Sequence, residues 1–199
     1  DYLADLRAQA GVSVVESGLR SLLRGDLHAH SDWSDGQRPI GEMAAAARAL
    51  GHEYQALTDH SPRLKVARGL SAERLREQIA LLPTFSGDGL TMLSGIEVDI
   101  LSDGGLDQDP ELLDQLDVVV ASAHSELRMP SASMTKRLVA AVSNPHVDVL
   151  GHVTGRLVRG DLDRVLDTGE GAELGLDHDA GVVCVLDDLL RDLNIFGKG

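Results

Sequence analysis

Short apolar runs recur along the chain from Gly25 onward, and most are followed by turn residues and then by a stretch of helical period. Apolar runs bounded by turn signals are typical of buried strands, and their alternation with helical stretches is typical of βα units. The predicted strands are 26–29, 54–58, 91–98, 118–122, 147–150, 172–174 and 182–186. Strands alternating with helices in this way predict an α/β fold in which the sheet closes, or nearly closes, into a βα barrel.

Helix-period stretches lie between these runs, and two of them carry clear end signals. The Ala-rich stretch 40–50 is followed by Gly51, which suits the left-handed residue that ends many helices. The stretch 70–82 contains Ser71, a preferred N-cap residue whose hydroxyl can accept a hydrogen bond from the first turn. A third helix is predicted over 134–143.

A single domain accounts for most of the chain. A sequence of 199 residues with 43% hydrophobic content can bury one substantial core but is short for two domains. The βα pattern covers residues 25–199, whereas residues 1–24 lack it and are treated as a lead-in segment. The Gly- and Asp-rich stretch 102–110 predicts a loop.

The composition narrows the classes of function. A formal net charge of −14 argues against binding nucleic acid by bulk electrostatics, because phosphate contacts need Lys and Arg side chains. The single cysteine, Cys184, lies in an apolar run and has no partner for an intramolecular disulfide, which fits a reducing cytoplasm. The sequence contains neither an apolar stretch of membrane-spanning length nor a signal peptide, so we expect a cytoplasmic protein without a membrane partner.

The positions of the histidines relative to the predicted strands indicate a functional site. Active sites of βα barrels are built at the C-terminal ends of the strands. Five of the eight histidines lie at the C-terminal ends of predicted strands: His28 and His30 close the first strand, and His60, His124 and His152 follow later ones. His52 and His146 precede strands and belong to the opposite rim, and His178 lies in an Asp-rich loop to which we assign no role.

Glu97 adds a carboxylate to this set of imidazoles. It lies in an apolar run, where a buried acid is costly unless it has a cation or another partner. Imidazoles with a carboxylate favour Zn²⁺, Mn²⁺ or Fe²⁺ over the all-oxygen shell that Ca²⁺ prefers. His28 and His30 are two positions apart, so on an extended strand both side chains would lie on one face.

A catalytic serine is the alternative to a metal site. Ser61 and Ser125 each adjoin a histidine, but the sequence contains no Gly-x-Ser-x-Gly turn.

Several of these motifs occur in an order that resembles a known superfamily. The matching segments are 25–31, 33–36, 57–61, 93–100, 120–125, 144–152 and 154–156. They are similar to the PHP (polymerase and histidinol phosphatase) superfamily, in particular to the PHP domain of bacterial X-family DNA polymerases and its stand-alone relatives. The resemblance implies a distorted (β/α)7 TIM-like barrel that holds two or three divalent metal ions, Zn, Mn or Fe.

The resemblance also implies an assignment of metal ligands. The implied groups are His28, His30, Glu97 and Asp188 for a first ion, Glu97, His124 and His152 for a second, and Asp35 and His60 for a third. Asp59 and Asp99, next to ligands, are expected to orient imidazoles. Leu190 stands where the family has a histidine, so we expect a weakened third site and a barrel shortened at its C-terminal end unless further sequence completes it.

The activity implied by the resemblance is hydrolysis of phosphate esters by a metal-activated water. Catalysis is assigned to Glu97, His124 and Arg156, and phosphate binding to Lys65, Arg68 and Arg156, which follow strands. A small phosphorylated molecule is the expected substrate, with a nucleic-acid end as the other candidate and the oligomeric state left open. Two alternatives remain: a degenerate PHP module with a partial metal site and a binding or regulatory role, and an amidohydrolase-type enzyme, whose metal-bridging lysine has no obvious counterpart here.

Overall fold

A five-stranded parallel sheet forms the framework of the chain in the computed structural model, which describes residues 23–153. The strands are β1 (Gly25–Asp26), β2 (Tyr54–Leu57), β3 (Thr91–Asp99), β4 (Val118–Ser122) and β5 (Val149–Leu150). Their spatial order follows their order in the sequence, and each pairs in parallel with the next, as in the wall of a βα barrel. The described part is therefore a half-barrel of mixed α/β class. The predicted strands 172–174 and 182–186, on which closure depends, lie outside it.

Within residues 23–153, four α-helices connect these strands. They are α1 (Ile40–Ala49), α2 (Ala72–Leu81), α3 (Pro110–Leu113) and α4 (Ser131–Val142), with 3-10 turns at Lys65–Ala67 and Leu82–Phe85. The predicted end signals are confirmed: Gly51 has φ 77°, and the Ser71 side chain accepts from the backbone N–H of Arg74. The prediction of a loop over 102–110 holds until its last residue, where the short helix α3 begins.

Two elements differ from their predicted bounds by three residues at one end. Helix α4 begins three residues before the predicted start, directly after Pro130, which serves as its N-cap. Strand β1 ends at Asp26, so His28 and His30 follow the strand instead of lying on it. The physical reason is that side chains replace ladder bonds here: the Asp26 carboxylate accepts from the backbone N–H of His28, and the Thr58 hydroxyl accepts from that of Ala29.

The alternation of residues along β3 separates the core from the site. Ile96 and Val98 are fully buried in a cluster that includes Leu75 of α2 and Leu138 of α4. Because successive side chains of a strand point to opposite faces, Glu97 lies on the other face, inside the curve of the sheet. The apolar core thus fixes the position of the residue around which the site is built. None of the helices within residues 23–153 is long and apolar enough to cross a membrane.

Candidate metal centre

The carboxylate of Glu97 lies at the centre of a histidine cluster, and each of its oxygens faces a different part of that cluster. The residue is only 2% exposed. Its Oε1 lies 2.9 Å from Nε2 of His152 and 3.2 Å from Nε2 of His124. These two histidines follow β5 and β4, and both lie on one side of Glu97.

Three further imidazoles surround the other oxygen of Glu97. Its Oε2 lies 3.0 Å from Nδ1 of His60, 3.3 Å from Nε2 of His30 and 3.9 Å from Nε2 of His28. His28 and His30 are close neighbours, with their Nε2 atoms 3.4 Å apart. All five histidines predicted at strand ends therefore lie within reach of one buried carboxylate.

Asp35 extends the cluster toward solvent. Its half-exposed side chain places Oδ1 3.7 Å from Nδ1 of His30 and Oδ2 3.6 Å from Nε2 of His60. Ligand atoms of Asp35, His60 and His30 lie within 4.8 Å of one another, as do those of two further groups. The further groups are His28, His30 and Glu97, and His60, Glu97 and His124. The predicted third site thus gains His30 as a neighbour, because the two ring nitrogens of His30 face different carboxylates.

Thr58 fixes the orientation of His28, and the sequence analysis did not single it out. Its Oγ1 lies 2.9 Å from Nδ1 of His28 and 3.3 Å from the backbone oxygen of Ala29. A hydroxyl bonded at Nδ1 leaves Nε2 of His28 directed toward Glu97, which is how neighbouring groups select the metal-binding nitrogen of a histidine. The available signal was the position of Thr58, two residues before His60 at the end of the same strand.

Asp59 supports a loop instead of an imidazole. Its buried carboxylate accepts from the backbone N–H and hydroxyl of Ser31, at 2.8 and 2.5 Å, and from the hydroxyl of Ser34 at 2.5 Å. The side-chain amide of Gln78, on α2, donates to the same carboxylate at 2.6 Å. Asp59 therefore orders the loop between His30 and Asp35, and within residues 23–153 it makes no hydrogen bond to a histidine ring.

Asp99 adjoins His124, as the sequence analysis expected. Its Oδ1 accepts from the backbone N–H of His124 at 2.8 Å and lies 3.6 Å from Nδ1 of that ring. Its Oδ2 accepts from the hydroxyl of Ser125 at 3.2 Å. Arg137, fully buried on α4, donates to the backbone oxygens of Ser125 and Ile100 and so fixes the turn that carries His124. Sequence reasoning missed Arg137, whose role depends on contacts far apart in the chain.

The electrostatics of the cluster keep Glu97 ionised. Burial alone raises the pKa of Glu97, but contacts with His124, His152 and His30 outweigh burial and hold the pKa well below its usual range. Burial lowers the pKa of His28 to about 4. Burial also acts to lower the pKa of His124, but contacts with Asp99 and Glu97 raise it to about 9. The cluster thus offers an anionic carboxylate surrounded by rings of different basicity.

The residues fit divalent metal ions. The Nδ1 atoms of His30, His60 and His124 are buried, and none makes a hydrogen bond within the described residues. Buried nitrogens without hydrogen bonds are costly unless another group, such as a cation, takes their lone pairs. Nitrogen ligands with carboxylates form the borderline-soft set that suits Zn²⁺, Mn²⁺ and Fe²⁺.

The remaining predicted site residues divide into two groups. Lys65 begins the 3-10 turn after β2 and Arg68 directly follows it; both are exposed, and neither side chain makes a hydrogen bond or ion pair within residues 23–153. Arg156 and Asp188 lie outside the described residues, so their predicted roles stay predictions. Two of the other histidines precede strands, as predicted. His146 precedes β5 and forms an ion pair with Asp114 at 2.9 Å, and His52 precedes β2.

Comparison with known proteins identifies the family. The PHP domain family matches residues 26–170 of the chain. This chain belongs to the PHP domain family. The PHP domain described here is 42% identical over 177 residues to the DNA polymerase/3'-5' exonuclease PolX of Bacillus subtilis (strain 168), a match that covers 85% of this chain and 30% of that protein.

Other relatives are named as phosphatases. A probable phosphatase of Thermoanaerobacter sp. (strain X514) is 32% identical over 150 residues, covering 71% of this PHP domain and 58% of the relative. The chain therefore matches under two thirds of the length of either relative. Among solved structures, histidinol phosphate phosphatase from Lactococcus lactis subsp. lactis Il1403, in complex with zinc, L-histidinol and phosphate, is similar with a TM-score of 0.45 and 17% identity, covering 69% of this chain and 60% of that one.

Proposed function

We propose that this PHP domain hydrolyses phosphate esters and requires divalent metal ions to do so. The observation that carries the proposal is the two-sided environment of Glu97, whose Oε1 faces His124 and His152 while its Oε2 faces His28, His30 and His60. A carboxylate with imidazoles on both sides is suited to bridge two ions. Membership of the PHP family, with relatives named as phosphatases and as an exonuclease, supports the same activity.

Each predicted ligand has a place in this proposal. One ion would be held by His28, His30 and Glu97, completed by Asp188, and a second by Glu97, His124 and His152. A third would be held by Asp35 and His60, with His30 close enough to contribute. Ions bound there would supply Lewis acidity that lowers the pKa of the attacking water and offsets charge on the phosphoryl oxygens.

The protein's own residues orient this set and exclude a rival chemistry. Thr58 directs His28, and Asp99 accepts a hydrogen bond from the backbone N–H of His124 and lies 3.6 Å from Nδ1 of its ring. Ser125 donates its hydroxyl to Asp99, and the hydroxyl of Ser61 accepts from the backbone N–H of Asp99. Within residues 23–153 neither serine makes a hydrogen bond to an imidazole, so neither has the base that a serine nucleophile needs.

A small phosphorylated molecule is the proposed substrate. The formal net charge of −14 disfavours a long polyanion held over an extended surface, whereas bound cations make the pocket locally positive. Glu97, His124 and Arg156 are the proposed catalytic residues, and Lys65, Arg68 and Arg156 the proposed phosphate contacts. A nucleic-acid end is the competing substrate, which a direct comparison would separate.

The experiment combines metal analysis with hydrolysis assays. We expect the untreated protein to contain Zn, Mn or Fe and to hydrolyse an aryl phosphate, with activity lost on chelation and restored by adding the metal back. A Ser125→Ala variant should retain metal and most activity, since no serine nucleophile is involved. Bound metal without hydrolysis of aryl phosphates, nucleotides or oligonucleotide ends would refute the proposal in favour of a binding or regulatory PHP module.

A further inference from the structure

The loop that follows β2 is held in one conformation. It runs over 61–69, between His60 and Leu70, and the backbone N–H of Leu70 donates to the oxygen of His60 at 2.7 Å. Inside the loop, the N–H of Gly69 donates to the oxygen of Leu64 at 3.2 Å. A Cβ atom at Gly69 would lie 1.8 Å from the backbone oxygen of Ser61, so the closed loop requires glycine there. A side chain on this loop therefore starts from a fixed backbone.

Arg63, on this loop, is anchored at two further points. Its backbone N–H donates to Oδ2 of Asp107 at 2.6 Å. Its Nε lies 3.4 Å from Oδ2 of Asp99, a residue that is only 2% exposed. Because Oδ1 of the same carboxylate binds the backbone N–H of His124, one carboxylate separates the guanidinium from a proposed metal ligand. Arg63 thus lies at the edge of the candidate metal centre.

The terminal nitrogens of the Arg63 guanidinium, its two Nη atoms, have no hydrogen-bond partner within residues 23–153. The side chain is 46% exposed. The neighbouring arginines differ. The terminal nitrogens of Arg74 donate to the backbone oxygens of Arg68 and Trp33. The guanidinium of buried Arg137 also donates to backbone oxygens. A guanidinium that is ion-paired at Nε and makes no hydrogen bond through its Nη atoms is suited to bind two oxygens of a phosphate at once.

We propose that Arg63 binds the phosphoryl oxygens of the substrate and sets the affinity of the site for phosphate esters. This rests on the proposed function and adds a residue that the sequence analysis did not include. Lys65 and Arg68, on the same loop, carry charge without a comparable anchor. Of the three, Arg63 alone forms an ion pair within residues 23–153, with Asp99, the carboxylate that accepts from the backbone N–H of His124. An anchored side chain loses less conformational entropy on binding, so its contribution to affinity should be the largest.

The competing explanation is that Arg63 only neutralises the buried charge of Asp99. Two substitutions separate the explanations. Arg63→Lys keeps a positive charge near Asp99 but removes the bidentate contact with phosphate, whereas Arg63→Gln removes the charge and the contact. Arg76→Lys, on the exposed face of α2, is the matched control. A purely neutralising role predicts that Arg63→Lys behaves like the unsubstituted protein.

The test measures binding and turnover on metal-loaded protein. We expect both Arg63 variants to raise KM for an aryl phosphate and the inhibition constant for inorganic phosphate by roughly tenfold or more. Metal content and melting temperature should stay within the range of the Arg76→Lys control. Unchanged phosphate affinity in both variants, wild-type behaviour of Arg63→Lys, or a loss that tracks loss of metal would each overturn the inference.

Direct phosphate binding separates this inference from the proposed function. Calorimetric titration of inorganic phosphate into the metal-loaded protein needs no turnover. If the protein does not hydrolyse any phosphate ester, the proposed function fails, yet weaker phosphate binding by Arg63→Lys would still support the contact. If hydrolysis is seen but phosphate binds the variants as tightly as the unsubstituted protein, the function stands and the role of Arg63 is wrong.

Discussion

Glu97 is the residue on which the most contacts of the site depend. Its two oxygens reach imidazoles that come from the ends of β1, β2, β4 and β5, while its own strand, β3, is the central one of the five. His60, by comparison, contacts Glu97 and Asp35 and lies on only one side of the carboxylate. Loss of Glu97 therefore removes an anion from both proposed bridged positions, whereas loss of His60 weakens one side.

The first prediction compares Glu97→Gln with His60→Ala. Glu97→Gln should lower hydrolysis and metal content more, because it removes the carboxylate shared by two proposed ions and places an amide where its N–H donors face imidazole nitrogens. We expect a loss of activity of at least about 100-fold for Glu97→Gln and a smaller loss for His60→Ala. Parallel kinetics and metal counts test this, with exposed Glu111→Gln as control. Equal losses with unchanged metal content would show that Glu97 is no bridge.

At the scale of strands and loops, the sequence predicted positions well and contacts poorly. Strands β2, β3 and β4 lie within a residue of their predicted bounds, because apolar runs and turn residues mark buried strands directly. The five strand-end histidines followed from those positions. What the sequence could not indicate was which side chain holds which segment: Asp59 binds Ser31, which lies 28 residues away, and Gln78 on the next helix. Such pairings depend on how distant segments pack and carry no periodic signal.

The second prediction concerns the loop that Asp59 orders. Asp59→Asn replaces one of the two accepting oxygens with an amide donor. Oδ2 accepts from the Ser31 hydroxyl and the Gln78 amide, and Oδ1 accepts from the Ser31 backbone N–H and the Ser34 hydroxyl, so either orientation sets donor against donor. Since these groups are buried, we expect a loss of roughly 2 kcal/mol in the free energy of unfolding, measured by denaturant titration. Affinity for the ion proposed at Asp35 should also fall, as this loop carries Asp35.

Asp88→Asn provides the control for that substitution. Asp88 is exposed and has φ 51°, a left-handed conformation that asparagine adopts readily. The same chemical change there should alter neither stability nor metal binding. If Asp59→Asn were as stable as this control, the network around Asp59 would not be what orders the loop.

For the described half-barrel as a whole, the site and the fold depend on one another. Within residues 23–153, the proposed ligands lie on or after each of the five strands, so the cluster exists only when all five are in place. Ions that bind the folded state alone must stabilise it by mass action. Without ions, the buried Nδ1 atoms of His30, His60 and His124 make no hydrogen bond within residues 23–153, and the contribution of the cluster to stability then depends on protonation. The metal-free protein should therefore respond to pH more than the loaded one.

The last prediction is that the metal-free protein is most stable near pH 6.5. The folded-state pKa of His124 is raised from 6.5 to about 9, so its contribution is full below pH 6.5 and is lost as pH rises toward 9. The folded-state pKa of His28 is lowered from 6.5 to about 4, so its burial disfavours folding increasingly as pH falls from 6.5 toward 4. The two slopes have opposite signs and meet near pH 6.5. Denaturant titrations of chelated protein between pH 5 and 9 should show this maximum, and His124→Gln should reduce the alkaline slope while leaving the acid one. Part of the alkaline slope should remain, because burial acts to lower the pKa of His30 but contacts with Glu97 and Asp35 outweigh burial and raise that pKa as well. An alkaline slope as steep in the variant as in the unsubstituted protein would assign it to groups other than His124.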